Sequence, residues 1–115
     1  MYAYYTGPST YVTLGSTPVN DTFWPINTWM HFTLTWEVNG NNTTLKLYAN
    51  AKLVDQATAD TGGAYTGSTG LYLGNGNGVY QANTLLDDFR VYTYVLNEDQ
   101  IKTIYNQGSS VSFSD

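Results

Sequence analysis

From Met30 to Val38 the chain alternates: Met30, Phe32, Leu34, Trp36 and Val38 share one parity, and His31, Thr33, Thr35 and Glu37 the other. A period of two sustained that long is a β-strand with one buried and one wetter face, here placed over Trp29 to Val38. Asn39-Gly40-Asn41-Asn42 follows, rich in residues that tolerate positive φ, and then Leu45, Leu47 and Ala49 alternate with Thr44, Lys46, Tyr48 and Asn50. The two runs read as a β-hairpin. A second reversal at Asn50-Ala51 brings the chain back over Lys52 to Ala57, although Ala51 suits a type I′ turn poorly. Whatever the chain folds into must contain this meander.

Around it the signals are shorter. Thr10 to Leu14 has strand character, and Pro18 to Asn27 reads as a loop carrying Phe23, Trp24 and Pro25. Asp60 to Gly70, dominated by Gly, Thr and Ser, is a surface loop longer than the usual connection. Leu71-Tyr72-Leu73 is a short strand, Gly74 to Gly78 a second flexible loop, and Leu85 to Leu96 a long strand interrupted by Asp87 and Asp88. One helix is expected next: Asn97 caps it, Glu98 and Asp99 favour its positive end, and Gln100 completes a capping box ahead of Ile101, Ile104 and Tyr105. Gly108 ends it, with Glu98, Lys102 and Asn106 facing water. Many short strands with Gly- and Asn-rich turns point to a sandwich. Its expected core is Phe32, Leu34, Trp36, Leu45, Leu47, Leu71, Leu73, Phe89 and Val91.

Composition narrows the function classes. The net charge is −5, and the four basic residues, Lys46, Lys52, Arg90 and Lys102, are scattered. No cluster is present that could release counterions from nucleic acid or an anionic membrane. Cysteine is absent, which removes disulfides and thiolate metal sites, and no apolar run approaches the ~20 residues of a membrane span. Eleven tyrosines with only 11% charged residues leave a surface made polar by Asn, Thr, Ser and Gly.

Read in order, Trp29-Met30-His31-Phe32-Thr33-Leu34-Thr35-Trp36, Leu45-Lys46-Leu47-Tyr48-Ala49-Asn50-Ala51, Leu71-Tyr72-Leu73-Gly74, Leu86-Asp87-Asp88-Phe89-Arg90-Val91-Tyr92 and Leu96-Asn97-Glu98-Asp99-Gln100-Ile101 resemble the concanavalin A-like laminin G-like domains. The resemblance implies an all-β, antiparallel two-sheet jelly-roll sandwich with one short C-terminal helix. It would occupy residues 1–108, with 109–115 a tail or edge strand. Two departures stand out. Ala51 replaces the family's turn glycine, and the strands that normally precede the Trp-x-His strand are largely missing. The edge left open is expected to pair with another chain, as a homo-oligomer or on a scaffold.

Candidate site residues fall into two groups. Asp87 shares parity with Phe89 and Val91, so it is expected to face the core, where a carboxylate must be hydrogen-bonded or neutralised. The resemblance implies calcium near strand ends, for which Asp87 or Asp88 with Asn75, Asn77 or Asn83 would supply hard oxygen ligands. The competing reading has Asp87 accepting backbone amides and Asp88 pairing with Arg90 or solvent. Tyr48, Tyr72 and Tyr92 oppose the apolar parity of their strands, and Trp24 sits beside Pro25, so these aromatics with Asn75 and Asn77 are the expected partner contacts. His31, the single histidine, reads as structural.

Catalysis finds little support. The only glutamates, Glu37 at a hairpin end and Glu98 at a helix start, lie far apart in the chain, and the Glu-x-Asp-x-x-Glu motif of laminarinase-like hydrolases is absent. The expected function is a non-catalytic surface-recognition module for glycan or protein partners, located outside the cell or on a particle surface. The alternative is a structural subunit, such as a virion decoration protein or filament component.

Overall fold

The computed structural model describes residues 3–6, 8–14, 25–64, 75–76, 80–81 and 83–106. Two hairpins flank a central meander: β1 (Ala3–Thr6) pairs with β2 (Tyr11–Leu14), and the two-residue strands β6 (Asn75–Gly76) and β7 (Tyr80–Gln81) pair with each other. The meander is β3 (Phe32–Asn39), β4 (Asn42–Ala49) and β5 (Lys52–Asp60), antiparallel in that order, and α1 (Glu98–Asn106) follows. Among the described residues the chain is thus mostly β with one short helix.

Both meander turns have two central residues. Asn39 faces Asn42, and Gly40 takes φ +60°, the sign required at the first central position of a type II′ turn. Ala49 faces Lys52, and between them Asn50 (φ 49°) and Ala51 (φ 63°) are both left-handed, the pattern of type I′. The hairpin keeps its turn even though alanine pays a steric cost there that glycine would avoid. Asn50 helps to hold it: its N–H donates to the His31 carbonyl (2.8 Å), and its Oδ1 accepts from the His31 N–H (2.9 Å).

Register sorts the side chains. Phe32, Leu34 and Trp36 lie opposite Ala49, Leu47 and Leu45 on one face, while Thr33, Thr35 and Glu37 lie opposite Tyr48, Lys46 and Thr44 on the other. Between Leu47 and Tyr48 the pairing with β5 slips, from Asp55 to Leu53, leaving Val54 as an extra residue in a bulge. On the first face Leu14 of β2 packs on Leu45 and Leu47, with Phe32, Val54, Ala57 and Ala59 around them. On the second, Leu96 and Ile101 cover Tyr48, flanked by Ala51, Tyr92 and Ile104.

The end of β5 is tied to the other turns. Thr61 and Thr43 are fully buried and share a hydroxyl hydrogen bond of 2.7 Å. The Thr61 N–H donates to Asn41 O (2.8 Å), and Thr61 O accepts from the Ser9 N–H (3.0 Å). Gly62 at φ +77° brings its backbone against Ser9, where a Cβ would collide with the serine side chain. The expected surface loop therefore starts as a buried clasp; residues 65–70 lie outside the described residues.

Four expectations need correcting. Leu85 to Leu96 forms no strand: among the described residues no strand pairs with it, and Asp88 turns it at φ 53°. Phe89 and Val91 are exposed instead of forming core, since the turn at Asp88 breaks the alternation that would hold them on one buried face. Leu34 and Trp36 lie on the core face as expected, but at 38% and 46% they are exposed, because the cover from β2 centres on β4 and β5. Asp87 is exposed and does not face the core. Leu71 and Leu73 lie outside the described residues.

The helix begins as its sequence dictates. Gln100 N–H donates to Asn97 Oδ1 and Asn97 N–H to Gln100 Oε1, both at 2.9 Å, a reciprocal capping box. Ile101 is completely buried and Ile104 partly so, and Glu98 and Lys102 face water. Tyr105 is more exposed than expected, at 41%, because it leans its ring on His31 instead of entering the core, and Asn106 is half-buried.

Two substitutions test these devices by chemical denaturation. Ala51→Gly should stabilise the chain by about 1 kcal/mol by relieving the left-handed alanine. A loss there would mean that the Ala51 methyl group matters more as packing beneath Tyr48. Asn97→Ala should cost about 0.5–2 kcal/mol through the lost cap, and a neutral result would show that tertiary packing alone starts the helix.

Candidate functional site

The second sheet face ends in a groove. β3 contributes Thr35 and Glu37, and β4 contributes Thr44, Lys46 and Tyr48; register places Thr35 beside Lys46 and Glu37 beside Thr44. Val95, Leu96, Asn97 and Glu98 form the opposite wall, because Leu96 and Ile101 dock the start of α1 over Tyr48. The groove, half open to solvent, has a volume of about 340 Å³. Tyr48 is almost wholly buried at its base, and burial, then the Glu98 carboxylate, pushes its phenol pKa upward. Two hydroxyl-bearing threonines, an ammonium group and two carboxylates therefore converge above an aromatic floor.

This convergence was not visible in the sequence. Glu37 and Glu98, separated by most of the chain, line the same groove. The polar stripe on β3 and β4 could be read from its parity, but nothing local states which sheet face the helix will cover. Two carboxylates across a groove invite a general acid and base reading. Both side chains are exposed to water, however, whereas that chemistry relies on one carboxyl held in dry surroundings.

A second groove of about 400 Å³ shares Leu96 and Asn97 with the first and is lined by Tyr92, Tyr94, Thr103 and Ile104 among others. Tyr92 is half-buried and meets Tyr94 edge-on, with ring centres 5.8 Å apart and planes at 70°. Of the expected contact residues, Tyr92 is thus partly open at this groove, while Tyr48 is a buried floor and not an exposed platform. Asn75 lies in β6 opposite Gln81. Trp24, Tyr72 and Asn77 lie outside the described residues.

The two aspartates have nearby partners. Asp87 Oδ1 accepts the Asp88 N–H at 2.8 Å, and the Asp88 carboxylate takes two hydrogen bonds from Arg90, at 2.8 and 2.9 Å. Among the described residues no group of three His, Cys, Asp or Glu side chains could hold a metal ion.

His31 sits just before β3, its ring 5.7 Å from that of Tyr105 on α1 and its Nδ1 buried without a hydrogen-bond partner among the described residues. Burial lowers its pKa below the ordinary 6.5; the Asp88 carboxylate opposes this and the Arg90 guanidinium adds to it.

The family model described as the concanavalin A-like lectin/glucanases superfamily matches residues 4–102. No curated protein matches the chain. Among solved structures, the chain is similar to an S-layer domain-containing protein (residues 221–444) from Clostridium thermocellum ATCC 27405, determined at 2.1 Å, with 23% identity and a TM-score of 0.45. The likeness covers 84% of this chain and 45% of that one, so the chain spans under half of the structure it matches.

The lowered His31 pKa has a direct consequence for stability. The fold favours neutral imidazole, so the unfolded chain binds the proton more readily. The contribution is fully present above pH 6.5 and is lost as the pH falls through the folded value. The melting temperature should drop between about pH 7.5 and about pH 5.5, and less steeply in His31→Gln. Equal slopes would remove His31 as the cause.

Proposed function

The chain belongs to the concanavalin A-like lectin/glucanase superfamily, and from that premise we propose that it is a non-catalytic recognition module that binds a hydroxyl-rich glycan in the groove above Tyr48. The observation that carries this reading is the lining: Lys46, Glu37 and Glu98, with the Thr44 hydroxyl that Thr58 shares, offer donors and acceptors beside the exposed aliphatic side chain of Val95. A sugar ring needs that combination, since its hydroxyls seek polar partners while its C–H faces seek aromatic or aliphatic surface. Turnover is no part of the proposal, because both glutamates stand in water. We infer for the whole domain the family's two-sheet jelly roll, in which the meander would be part of one sheet. We also place it outside the cell or on a particle surface, where such polymers are met; no helix among the described residues is long and apolar enough to cross a membrane.

Affinity electrophoresis against a panel of soluble polysaccharides tests the reading. Migration should be retarded by at least one polymer, and Lys46→Ala or Glu37→Gln should weaken that binding about tenfold, the effect of losing a charge-assisted hydrogen bond of about 1.4 kcal/mol. Unchanged retardation in both variants would move the site elsewhere. Release of reducing sugar that disappears in Glu37→Gln would overturn the non-catalytic reading. Calcium added to the free protein should leave its melting temperature unchanged, and a rise would bring Asp87 back as a ligand.

A further inference from the structure

The two grooves meet at one exposed side chain. Leu96 and Asn97 line both, Leu96 as a buried wall and Asn97 exposed between them. The groove above Tyr48 offers charges and hydroxyls but no open ring, because Tyr48 is almost wholly buried. The second groove holds what the first lacks. Tyr94 is 59% exposed there, and the half-buried Tyr92 meets it edge-on at 5.8 Å, which steadies it as a platform. Ile104, half-buried, adds aliphatic surface. The capping box orients two polar groups of the same groove. Asn97 and Gln100 each spend the amide oxygen on a backbone N–H at 2.9 Å, so the nitrogen end of each amide, with two donors, is turned away from the cap. Both residues are exposed. Charge then narrows the ligand. The grooves carry the carboxylates of Glu37, Glu98 and Asp99 against the ammonium of Lys46, and even with Lys102 3.9 Å from Asp99 the balance stays negative, on a chain of net charge −5. A polymer bearing carboxylates or sulfates would meet repulsion along this length.

We propose that the two grooves form one track for a neutral, linear polysaccharide, which crosses Asn97 and stacks an internal sugar ring on Tyr94. The inference rests on the glycan reading of the groove above Tyr48 and extends it: the ligand is the interior of an uncharged chain and not a single terminal sugar. At about 340 and about 400 Å³, each groove lies at the small end of ligand sites, so each holds a short piece of chain and a longer piece must use both. Tyr94 supplies the stacking surface, and the Asn97 amide nitrogen donates to the hydroxyls of the unit at the junction. The helix start acts through these side chains and not as an anion site, since its first turn carries Glu98 and Asp99. Asn97 thus serves twice, as helix cap and as ligand contact, and the two roles use opposite ends of one amide. They can therefore be separated.

Affinity electrophoresis in laminarin, konjac glucomannan and hydroxyethyl cellulose, followed by calorimetry with oligosaccharides cut from whichever retains the protein, tests this. At least one of these neutral polymers should retard the whole chain, and its carboxymethylated form should do so less. A fragment of about six units should bind about tenfold or more tighter than one of about two, and Tyr94→Ala should remove that advantage. Asn97→Asp keeps the cap, because aspartate caps a helix as well as asparagine does, but it exchanges two donors for acceptors. It should melt as the parent does while its affinity for the longer fragment falls about tenfold. Equal binding of both lengths by the parent would overturn the track. So would Tyr94→Ala and Asn97→Asp proteins that bind the longer fragment as the parent does while Lys46→Ala does not, a result that leaves the groove above Tyr48 as the whole site. Retention by acidic polymers alone would overturn this inference and leave the glycan reading standing, whereas retention by no polysaccharide would remove both.

Discussion

Strand β4 is covered on both faces, and the rest of the structure is arranged to achieve that. Neighbouring residues of a strand point to opposite sides, so Leu47 anchors β2 through Leu14 while Tyr48, the next residue, anchors α1 through Leu96 and Ile101. A one-residue slip would carry every leucine to the tyrosine's side. The two short turns and the Thr43–Thr61 hydroxyl pair hold the register against such a slip. The bulge at Val54 adds to this, letting β5 bend and feed one more apolar side chain to the leucine layer. Burying a leucine is worth about 1.5–3 kcal/mol, and β4 supplies two to a single layer.

Where information is local, the sequence was legible. The meander follows from alternation and turn residues within a few positions of each other, and the Asn97–Gln100 box specified the helix start before any packing was known. Leu85 to Leu96 failed for the complementary reason. Its alternation is as clear as that of β3, but a strand needs a neighbour, and pattern alone cannot supply one. Trp36 is an intermediate case: alternation gives its face, and its exposure depends on how far a distant hairpin reaches across the sheet. The groove was out of reach, because Glu37 and Glu98 meet only after the helix chooses its face.

That choice also gives the groove its character. The polar parity of β3 and β4 would be an ordinary wet sheet surface if α1 did not begin above it. By docking at Tyr48, the helix start turns part of that surface into a concavity and leaves the remainder open. A groove of this kind demands no strained backbone and no buried charge. Its two carboxylates, Glu37 and Glu98, stand in water as they would on any soluble surface.

The shortness of the two meander turns also bears on how the chain reaches its fold. Closing a two-residue turn removes little chain entropy, so β3, β4 and β5 can pair early and independently of the remaining chain. The leucine layer and the tyrosine layer then wait for partners arriving from opposite ends of the sequence, and until they arrive a three-stranded sheet stands with apolar groups bare on both sides. A sheet that paired ahead of its covers would thus be the form of the chain most open to capture by another copy in the same state.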